Sequence, residues 1–467
     1  MIPHRAASTS QGLAAWLPSP TLHLLLGVLA VLVYVVSTRM HQERRAPSTA
    51  IAWVVALLLL PYVVLPLYLL FGQRKTRPAR PPRRPRHTQQ DVAADWAASL
   101  IESFDLAPPS VGIVDFHRDG LAARDALWHV IASARTRLDV CTFIIGRDAL
   151  GDETIARLAA RARDGVQVRL ILDGFGALKL SRRHFDTLRQ AGGKVTVFRP
   201  LLKLRQRGKG NLRNHRKMVI ADDFLLWAGG RNLAAEYFLG TPGEPPWLDL
   251  SFTLQGGAAA AAAHQFEQDW ASARQQPARS ITRAAEVHHG SATQFLPSGP
   301  DQAEDTALTL LIAACFRAEQ RILAVTPYFI PGDRLRDALR TAARRGVEVT
   351  IVLPQASNHQ LADFARMRAM RDLAEAGVHF LMLPSMVHAK AVVVDEHLAL
   401  CGSINLDQRS LLVNHESAVV FYNPADLQWL ADWIHALGRR SQAFQSTPPG
   451  LARDLSEGLL LAVAFQL

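Results

Sequence analysis

Hydrophobic residues are concentrated near the start of the chain in two runs, which precede a long region of alternating helix and strand patterns. Residues 22–36 read LHLLLGVLAVLVYVV, and residues 49–71 read TAIAWVVALLLLPYVVLPLYLLF. The second run is long enough to cross a bilayer, and spanning helices tolerate the two prolines within it. The first run has the length of a signal-peptide core, but STRMHQERR follows it instead of a small-residue cleavage site. We therefore predict a two-helix transmembrane hairpin over residues 21–72, after a flexible N-terminus at 1–20.

Basic residues flank this predicted hairpin unevenly. Seven Lys or Arg residues lie between Arg74 and Arg86, whereas the short loop between the two runs carries three arginines. Because the more basic flank usually remains in the cytoplasm, we expect both termini and the remainder of the chain to be cytoplasmic. Residues 73–110 are then predicted to form a basic Pro/Arg linker and a short amphipathic helix (93–104) on the membrane surface.

After residue 110, helical and strand patterns alternate, and the same series occurs twice. Each matching pair is a helix pattern or turn followed by a buried strand pattern: VIASARTRLDVCTFII (130–145) with LIAACFRAEQRILAVTPYFI (311–330), and DGVQVRLILD (164–173) with RGVEVTIVLP (345–354). Matching pieces in the same order indicate a duplicated α/β unit. We therefore predict an α/β fold of two pseudo-symmetric lobes, each a mixed sheet flanked by helices, over residues 111–285 and 286–467. The alanine run at 258–263 is predicted to be a helix packed on the sheet.

The net charge of the chain is +11, which favours an anionic partner such as nucleic acid, an anionic lipid surface or a phosphorylated substrate. Much of this charge follows the predicted hairpin directly, which favours lipid headgroups. The three cysteines, Cys141, Cys315 and Cys401, are far apart and show no C-x-x-C spacing. This spacing argues against a zinc site and a disulfide framework.

One spaced pattern occurs once in each predicted lobe. NHRKMVIADDFLLWAGGRN and VHAKAVVVDEHLALCGSIN share H-x-K-x-x-x-x-D and, after a gap of six residues, G-[GS]-x-N. The side chains supplied by the two copies are His215, Lys217, Asp222 and Asn232, and His388, Lys390, Asp395 and Asn405. One imidazole can attack phosphorus while a second, protonated imidazole donates to the leaving oxygen, and ammonium and amide groups stabilise the phosphoryl oxygens. The pattern predicts phosphoryl transfer without a metal or another cofactor.

These residues resemble the phospholipase D superfamily and, within it, the bacterial cardiolipin synthases. RNHRKMVIAD, AGGRNLAAEY, TPYFIP and GSINLDQRSLLVNHE resemble the catalytic blocks of that family, and the second apolar run resembles its second membrane segment. The resemblance implies two phospholipase D-like lobes in a multi-pass protein of a bacterial inner membrane. It further implies phosphatidyl transfer between two phosphatidylglycerol molecules, which gives cardiolipin and glycerol. The partners would be anionic phospholipids and the membrane, with no nucleic acid.

The resemblance also suggests individual roles. His215 would be the nucleophile and His388 the acid and then the base, although the symmetry of the sequence alone leaves this assignment open. A downstream carboxylate orients each histidine in that family, and Asp249 and Glu416 stand at suitable places. The expected phosphate-binding groups are Lys217, Lys390, Asn232, Asn405 and Ser403. Asp222 and Asp395 belong to the catalytic motif, and we expect them to brace the contact between the lobes.

Other activities fit parts of the same pattern. A phospholipase D hydrolase that releases phosphatidic acid uses the same residues and differs only in the acceptor. A nuclease fits the net charge, but the predicted hairpin and the lack of interleaved aromatic and basic residues argue against it. An inactive membrane scaffold is disfavoured because both motifs are complete. The basic segment KLRQRGKGNLR (203–213) is interpreted equally well as a solvated loop or as a capture site for a second anionic headgroup. The sequence leaves open the acyl and donor-lipid preference and the oligomeric state.

Overall fold

A computed structural model describes residues 19–40, 47–76, 95–200, 209–281 and 287–450, with residues 453, 456 and 457. The predictions for the first 18 residues, for residues 77–94 of the linker and for most of the basic segment 203–213 lie outside the described residues. The chain divides into two compact units, one of residues 1–79 with 204–211 and the other of residues 80–203 with 212–467.

The first unit contains three apolar helices: α1 (Pro20–Met40), α2 (Pro47–Leu59) and α3 (Pro61–Phe71). The second apolar run is therefore two helices, because Leu60 leaves the helical conformation and Pro61 begins a new helix. Ala30, Leu57 and the rings of Tyr34 and Tyr68 pack together between the three helices. Within the described part of the chain, one helix is long and apolar enough to cross a membrane, at Pro20–Arg39.

The second unit is an α/β structure. Its helices are α4 (Asp95–Ser103), α5 (Gly120–Ser133), α6 (Ala149–Arg163), α7 (Asp186–Gln190), α8 (Gly257–Arg274), α9 (Thr306–Arg317), α10 (Asp333–Arg344), α11 (Gln360–Ala374), α12 (Gln408–Leu412) and α13 (Pro424–Gly438). Short 3-10 turns occur at Gly176–Lys179, Arg182–Phe185 and Ala235–Tyr237. The alanine run lies in α8 and is mostly buried, which confirms the predicted small-residue helix.

The strands are β1 (Ser110–His117), β2 (Arg137–Thr142), β3 (Gln167–Asp173), β4 (Lys194–Phe198), β5 (Met218–Ala221), β6 (Leu225–Gly229), β7 (Ser251–Gly256), β8 (Ser291–Ser298), β9 (Arg321–Val325), β10 (Phe329–Ile330), β11 (Glu348–Pro354), β12 (His379–Leu383), β13 (Ala391–Val394), β14 (Leu398–Gly402), β15 (Leu406–Asp407), β16 (Glu416–Phe421) and β17 (Gln442–Ala443). Fifteen of them form one mixed sheet in the order β17-β12-β11-β9-β13-β14-β16-β8-β1-β7-β6-β5-β2-β3-β4. β10 and β15 pair separately in parallel.

The sheet has the same strand order on both sides of the β1–β8 junction. Apart from the two-residue β17, which pairs antiparallel with β12 at one edge, one side runs outward as β1-β7-β6-β5-β2-β3-β4 and the other as β8-β16-β14-β13-β9-β11-β12. On each side, the outer strands pair in parallel and the inner strands pair antiparallel. β1 and β8 are themselves antiparallel neighbours, with Gly112 opposite Ser291. The two halves thus share one continuous sheet.

Alternating side chains along the strands fill the two faces of this sheet. One face carries residues such as Met218 and Val393 and is covered by α8 and α13 across both halves. The opposite face of the first half is covered by α5 and α6, and that of the second half by α9, α10 and α11. A three-layer α/β arrangement results, because both faces of the predominantly apolar strands must be removed from water.

Helix α4 corrects one expectation. We predicted that residues 93–104 would lie on a membrane surface, but Ala97, Ala98 and Ile101 are buried in the core of the second half with α9. The guanidinium of Arg317 lies 5.4 Å from the centre of the Trp96 ring. The amphipathic pattern was correct, but its apolar face is covered by protein.

Candidate active site

The two motif histidines stand immediately before equivalent strands, β5 and β13, at the sheet edge where β2 and β9 end. Each histidine segment also pairs with a segment from the opposite half. The His215 N–H donates to the His415 carbonyl at 2.8 Å, and the His388 N–H donates to the Leu248 carbonyl at 2.7 Å. This backbone pairing places His215 beside the residue that precedes Glu416. It places His388 beside the residue that precedes Asp249.

The two histidine–carboxylate pairs therefore cross between the halves. His215 Nδ1 lies 2.9 Å and 3.0 Å from the two oxygens of Glu416, and His388 Nδ1 lies 2.8 Å from Asp249 Oδ2. The sequence did not indicate which carboxylate would serve which histidine. When Nδ1 carries the proton and donates it to the carboxylate, the lone pair of Nε2 is directed away from the carboxylate.

Both carboxylates are fully buried and charged. Burial alone would raise the pKa of Glu416, but His215, Lys217 and the Ser403 hydroxyl hold it below its usual value. Burial opposes ionisation of Asp249 in the same way, yet His388, Lys390 and Arg231 hold its pKa below its usual value. Each histidine therefore faces a permanent negative charge at neutral pH.

The imidazoles themselves are held neutral in the ligand-free protein. Burial, with the positive charges of Lys217 and Lys390, lowers the pKa of His215 to about 4 despite Glu416. Burial and the same two lysines lower the pKa of His388 to about 3 despite Asp249. Since the lysine of each half acts on the histidine of the other half, the four side chains form one electrostatic group.

Both lysines are buried with their ammonium groups beside the histidines. Lys217 Nζ donates to the His215 carbonyl at 2.8 Å, and Lys390 Nζ lies 2.8 Å from Nδ1 and 3.1 Å from Nε2 of His388. Burial lowers the pKa of Lys217 to about 8 and that of Lys390 to about 7. An anion bound between the two lysines would stabilise their protonated forms.

The two motif asparagines also lie at the site and are buried. Asn232 Nδ2 donates to the Tyr237 hydroxyl at 2.8 Å, and the Asn405 side chain bonds to Asp407. Among the described residues, Oδ1 of each asparagine has no hydrogen-bond partner. Because amide oxygen and nitrogen can exchange places by rotation, these side chains can turn an N–H toward a bound phosphate.

Ser403 has a different partner from the one expected. We predicted a phosphate contact, but its hydroxyl donates to Glu416 Oε2, and the Ser410 hydroxyl donates to Oε1 at 2.8 Å. Gly230 occupies the same motif position in the first half, where a Cβ would lie 2.2 Å from Asp249 Oδ1. Asp249 thus requires a residue without a side chain at this position, whereas Glu416 uses the serine as a donor.

Asp222 and Asp395 lie at the far ends of β5 and β13, away from the histidines. Asp222 accepts bonds from the N–H groups of residues 135–137, at the start of β2, and from the Thr136 hydroxyl. Asp395 accepts from the N–H groups of residues 319–321, at the start of β9. The prediction that they brace the contact between the lobes is wrong, because each binds a turn in its own half.

Three aromatic residues that the sequence analysis did not single out surround the histidines. The rings of Tyr237 and Trp247 lie 4.9 Å and 5.8 Å from that of His388, and the Phe143 ring lies 5.0 Å from that of His215. Tyr237 was within reach of sequence reasoning, because it closes the AGGRNLAAEY block. Phe143 had no comparable signal, since it follows an apolar strand and resembles any core residue.

Arg216, between His215 and Lys217, is also part of the site's support and was missed. Its guanidinium lies 2.5 Å from Asp269 Oδ1 and 2.9 Å from Asp301 Oδ2, and Nε donates to the Glu416 carbonyl. These two carboxylates and His415 place ligand-type atoms within 4.8 Å of one another. Since the arginine already supplies the positive charge there, this group is poorly suited to a metal ion.

Comparison with known proteins identifies the family. Residues 127–270 and 311–437 match the family described as "Cardiolipin synthase, PLD-like domain", and residues 27–73 match "Phospholipase_D-nuclease N-terminal". The chain belongs to the cardiolipin synthase family of phospholipase D-like proteins. The first match covers both motifs, and the second covers most of α1 and all of α2 and α3. The apolar helix α1 and this second match indicate a membrane protein.

Two relatives match this chain over most of both lengths. Cardiolipin synthase A of Pseudomonas putida (strain W619) is 32% identical over 414 residues, which cover 84% of this chain and 85% of that one. Cardiolipin synthase A of Pseudomonas aeruginosa (strain LESB58) is 31% identical over 421 residues, which cover 85% and 86%. A phosphatidylserine synthase from Haemophilus influenzae Rd KW20 superposes with a TM-score of 0.61 at 14% identity, over 80% of this chain and 100% of that one. This last likeness concerns the fold alone.

Proposed function

We propose that this protein is a cardiolipin synthase, a phosphatidyltransferase that joins two phosphatidylglycerol molecules and releases glycerol. The observation that carries the proposal is the crossed arrangement of His215–Glu416 and His388–Asp249, with two buried lysines whose charges act on both histidines. The arrangement offers two imidazoles, each with Nδ1 bound to a carboxylate, and a positive environment for one phosphodiester. The family and its full-length relatives support the choice of lipid.

In the first step, Nε2 of His215 attacks the phosphorus of one phosphatidylglycerol. The bond from phosphorus to the glycerol headgroup breaks, and His388 gives its proton to the departing oxygen. A bound phosphodiester anion raises the pKa of His388 above this low value, because its negative charge favours the imidazolium. Glu416 stabilises the positive charge that His215 acquires in the phosphohistidine.

In the second step, the terminal hydroxyl of another phosphatidylglycerol attacks the phosphohistidine. His388, now neutral, accepts the hydroxyl proton, the phosphorus–nitrogen bond breaks, and cardiolipin leaves. Lys217, Lys390, Asn232 and Asn405 stabilise the charge on the non-bridging oxygens in both steps. We propose that the reaction is metal-independent, because two ammonium groups and two amides supply this stabilisation. Asp222 and Asp395 would support the fold and not the chemical steps, since they bind the turns at the starts of β2 and β9.

We further propose that the halves 111–285 and 286–467 are duplicated, pseudo-symmetric lobes, which their equal strand order supports. The N-terminal segment would be a two-pass hairpin in a bacterial inner membrane, with α2 and α3 together forming the second pass. The basic residues 74–86 favour a cytoplasmic position for the lobes. Anionic phospholipids would be both substrates and partners.

Product analysis tests the proposal directly. Full-length protein is reconstituted in phosphatidylglycerol vesicles, and the lipids are analysed by mass spectrometry beside a His215→Ala variant. Cardiolipin and free glycerol are expected from the wild type alone. Release of phosphatidic acid without cardiolipin would establish the hydrolase instead. Cleavage of single-stranded DNA, with phosphatidylglycerol left intact, would establish a nuclease.

A further inference from the structure

A short turn after β3 exposes two large apolar side chains beside the site. Phe175 and Leu178 are 57% and 58% exposed on the turn at residues 174–179, which we name the Phe175 turn. β3 neighbours β2 in the sheet, and the turn therefore leaves the same sheet edge at which His215 stands. Large apolar side chains that are exposed together can mark a contact with a membrane or another molecule.

The Phe175 turn is held firmly in this position. The fully buried carboxylate of Asp173 accepts the Phe175 N–H at 2.7 Å through one oxygen and the Asn214 N–H at 2.8 Å through the other. Asn214 directly precedes His215, so one carboxylate fixes the turn relative to the histidine. Gly176 packs so closely that a Cβ there would lie 1.7 Å from the Phe143 carbonyl oxygen. Phe175 is thus exposed on a turn whose backbone is fixed by Asp173 and by the close packing of Gly176.

Aromatic rings connect the exposed turn with the histidine. The Phe175 and Phe143 rings are stacked at 6.3 Å with 12° between their planes, and Phe143 lies edge-on to His215 at 5.0 Å. Two successive aromatic contacts therefore connect the exposed turn with His215. From Phe175 to Arg183 the sequence also contains three basic residues and no acidic residue. Apolar side chains next to basic residues suit the surface of an anionic bilayer.

We propose that the Phe175 turn inserts Phe175 and Leu178 among the acyl chains of an anionic bilayer, and that Phe143 lines the route by which a lipid's phosphate reaches His215. The inference rests on the proposed function, because the membrane that the turn contacts is the one that contains the lipid substrate. Burial of these side chains in hydrocarbon stabilises the docked state, and the nearby cations attract the headgroups. The site then receives its substrate without the acyl chains leaving the bilayer.

Photo-crosslinking tests the contact without requiring turnover. Phe175 is replaced by p-benzoylphenylalanine in the full-length protein, which is reconstituted in phosphatidylglycerol-containing bilayers and irradiated. The control carries the same replacement at Phe316, which is 53% exposed at the end of α9, on the opposite edge of the sheet. A phospholipid adduct at position 175, and little or none at position 316, is expected. An adduct with a peptide of this chain or of a second copy, equal lipid adducts at both positions, or no adduct would each overturn the proposal.

A substrate comparison tests the consequence for activity. The kcat/KM for long-chain phosphatidylglycerol in vesicles is divided by that for monomeric dihexanoyl-phosphatidylglycerol. This ratio should fall by about tenfold or more in Phe175→Ser. The free energy of transferring a phenylalanine side chain from water to hydrocarbon corresponds to a change in affinity of about that size. It should recover in Phe175→Leu and remain at the wild-type value in Phe316→Ser. An unchanged ratio in Phe175→Ser would refute the proposal.

The two tests separate this inference from the proposed function. A lipid adduct at position 175 in a protein that forms only phosphatidic acid would retain the Phe175 turn as a membrane contact and refute cardiolipin synthesis. Cardiolipin formation with neither the adduct nor the change in ratio would retain the enzyme and refute the membrane contact.

Discussion

Replacement of Glu416 by glutamine removes the charge that faces His215 Nδ1 but keeps the length of the side chain. The hydroxyls of Ser403 and Ser410 can rotate to suit the amide, so the side chain should keep its place. The variant therefore tests the charge of the carboxylate separately from its shape. Its effect should appear in the step that makes His215 positive, which is formation of the phosphohistidine.

The expected magnitude follows from the hydrogen bond that is lost. The bond from His215 Nδ1 at 2.9 Å is to a buried, ionised carboxylate. Hydrogen bonds to charged groups contribute about 1.5–3 kcal/mol, which corresponds to a decrease of roughly 10- to 150-fold in the rate of phosphohistidine formation. The imidazole should remain neutral before substrate binds, because the carboxylate raises the pKa of His215 and its removal lowers that pKa further.

A rapid-quench assay with radiolabelled phosphatidylglycerol measures this rate as acid-labile phosphoprotein. Asp249→Asn is assayed in parallel, with a second substrate that carries p-nitrophenol in place of the glycerol headgroup. Nitrophenolate leaves without a proton, so this substrate should restore much of the rate of Asp249→Asn, whose defect lies in the acid His388. Glu416→Gln should remain slow with both substrates, because His215 must attack in either case.

Glu267→Gln is the matched control, since it removes a buried carboxylate that binds Arg169 at 2.6 Å, outside the histidine group. Its thermal stability should fall, while the rate per folded molecule should not. The assignment of roles would be refuted if nitrophenyl substrate rescued Glu416→Gln and not Asp249→Asn. A wild-type rate of phosphoprotein formation in Glu416→Gln would refute the proposal that the charge of Glu416 assists the attack by His215.

Three further predictions concern the supporting residues. Tyr237→Phe should lower kcat by up to about tenfold with little change in KM, since it removes one neutral hydrogen bond to the Asn232 side chain. The control is Tyr422→Phe, which removes a buried hydroxyl bonded to Gln294 and should alter only the melting temperature. Asp222→Ala should destabilise the fold by about 1–3 kcal/mol in chemical denaturation and leave the rate per folded molecule unchanged, because its carboxylate binds a turn and not the site; a selective loss of kcat would contradict this. The KM for phosphatidylglycerol should rise between pH 7 and pH 9, because Lys390 and Lys217, with pKa values of about 7 and 8, lose the charges that attract phosphate as pH rises; a flat KM profile would contradict it.

Much of the fold was accessible to the sequence because two kinds of pattern repeat. The alternation of helix and strand predicted β2, β3, β9 and β11 and the helices around them, and the repeated motif predicted which histidine, lysine and asparagine side chains would act together. What the patterns lack is information on partners across the sheet. The strand order, the junction of β1 with β8 and the crossed pairing of Asp249 with His388 depend on contacts between distant residues.

The misplaced residues show the same limit in particular cases. Ser403 was expected at the phosphate because it lies in the motif, but its rotamer is decided by Glu416, thirteen positions later. Asp222 adopts a positive φ of 53° and turns its carboxylate back to residues 135–137, a conformation that the motif spacing does not reveal. Helix α4 has the amphipathic pattern of a surface helix, and only the tertiary structure shows that α9 covers its apolar face.

Because the histidine–carboxylate pairs cross between the halves, each half depends on the other for a complete pair. Neither half contains a histidine together with the carboxylate that binds it. Loss of the carboxylate from one half therefore affects the imidazole of the other half. A full-length chain altered at Asp249 keeps only the His215–Glu416 pair, and one altered at Glu416 keeps only the His388–Asp249 pair. Two complementary fragments divided between α8 and β8, by contrast, should regain turnover on co-expression, since each brings what its partner lacks.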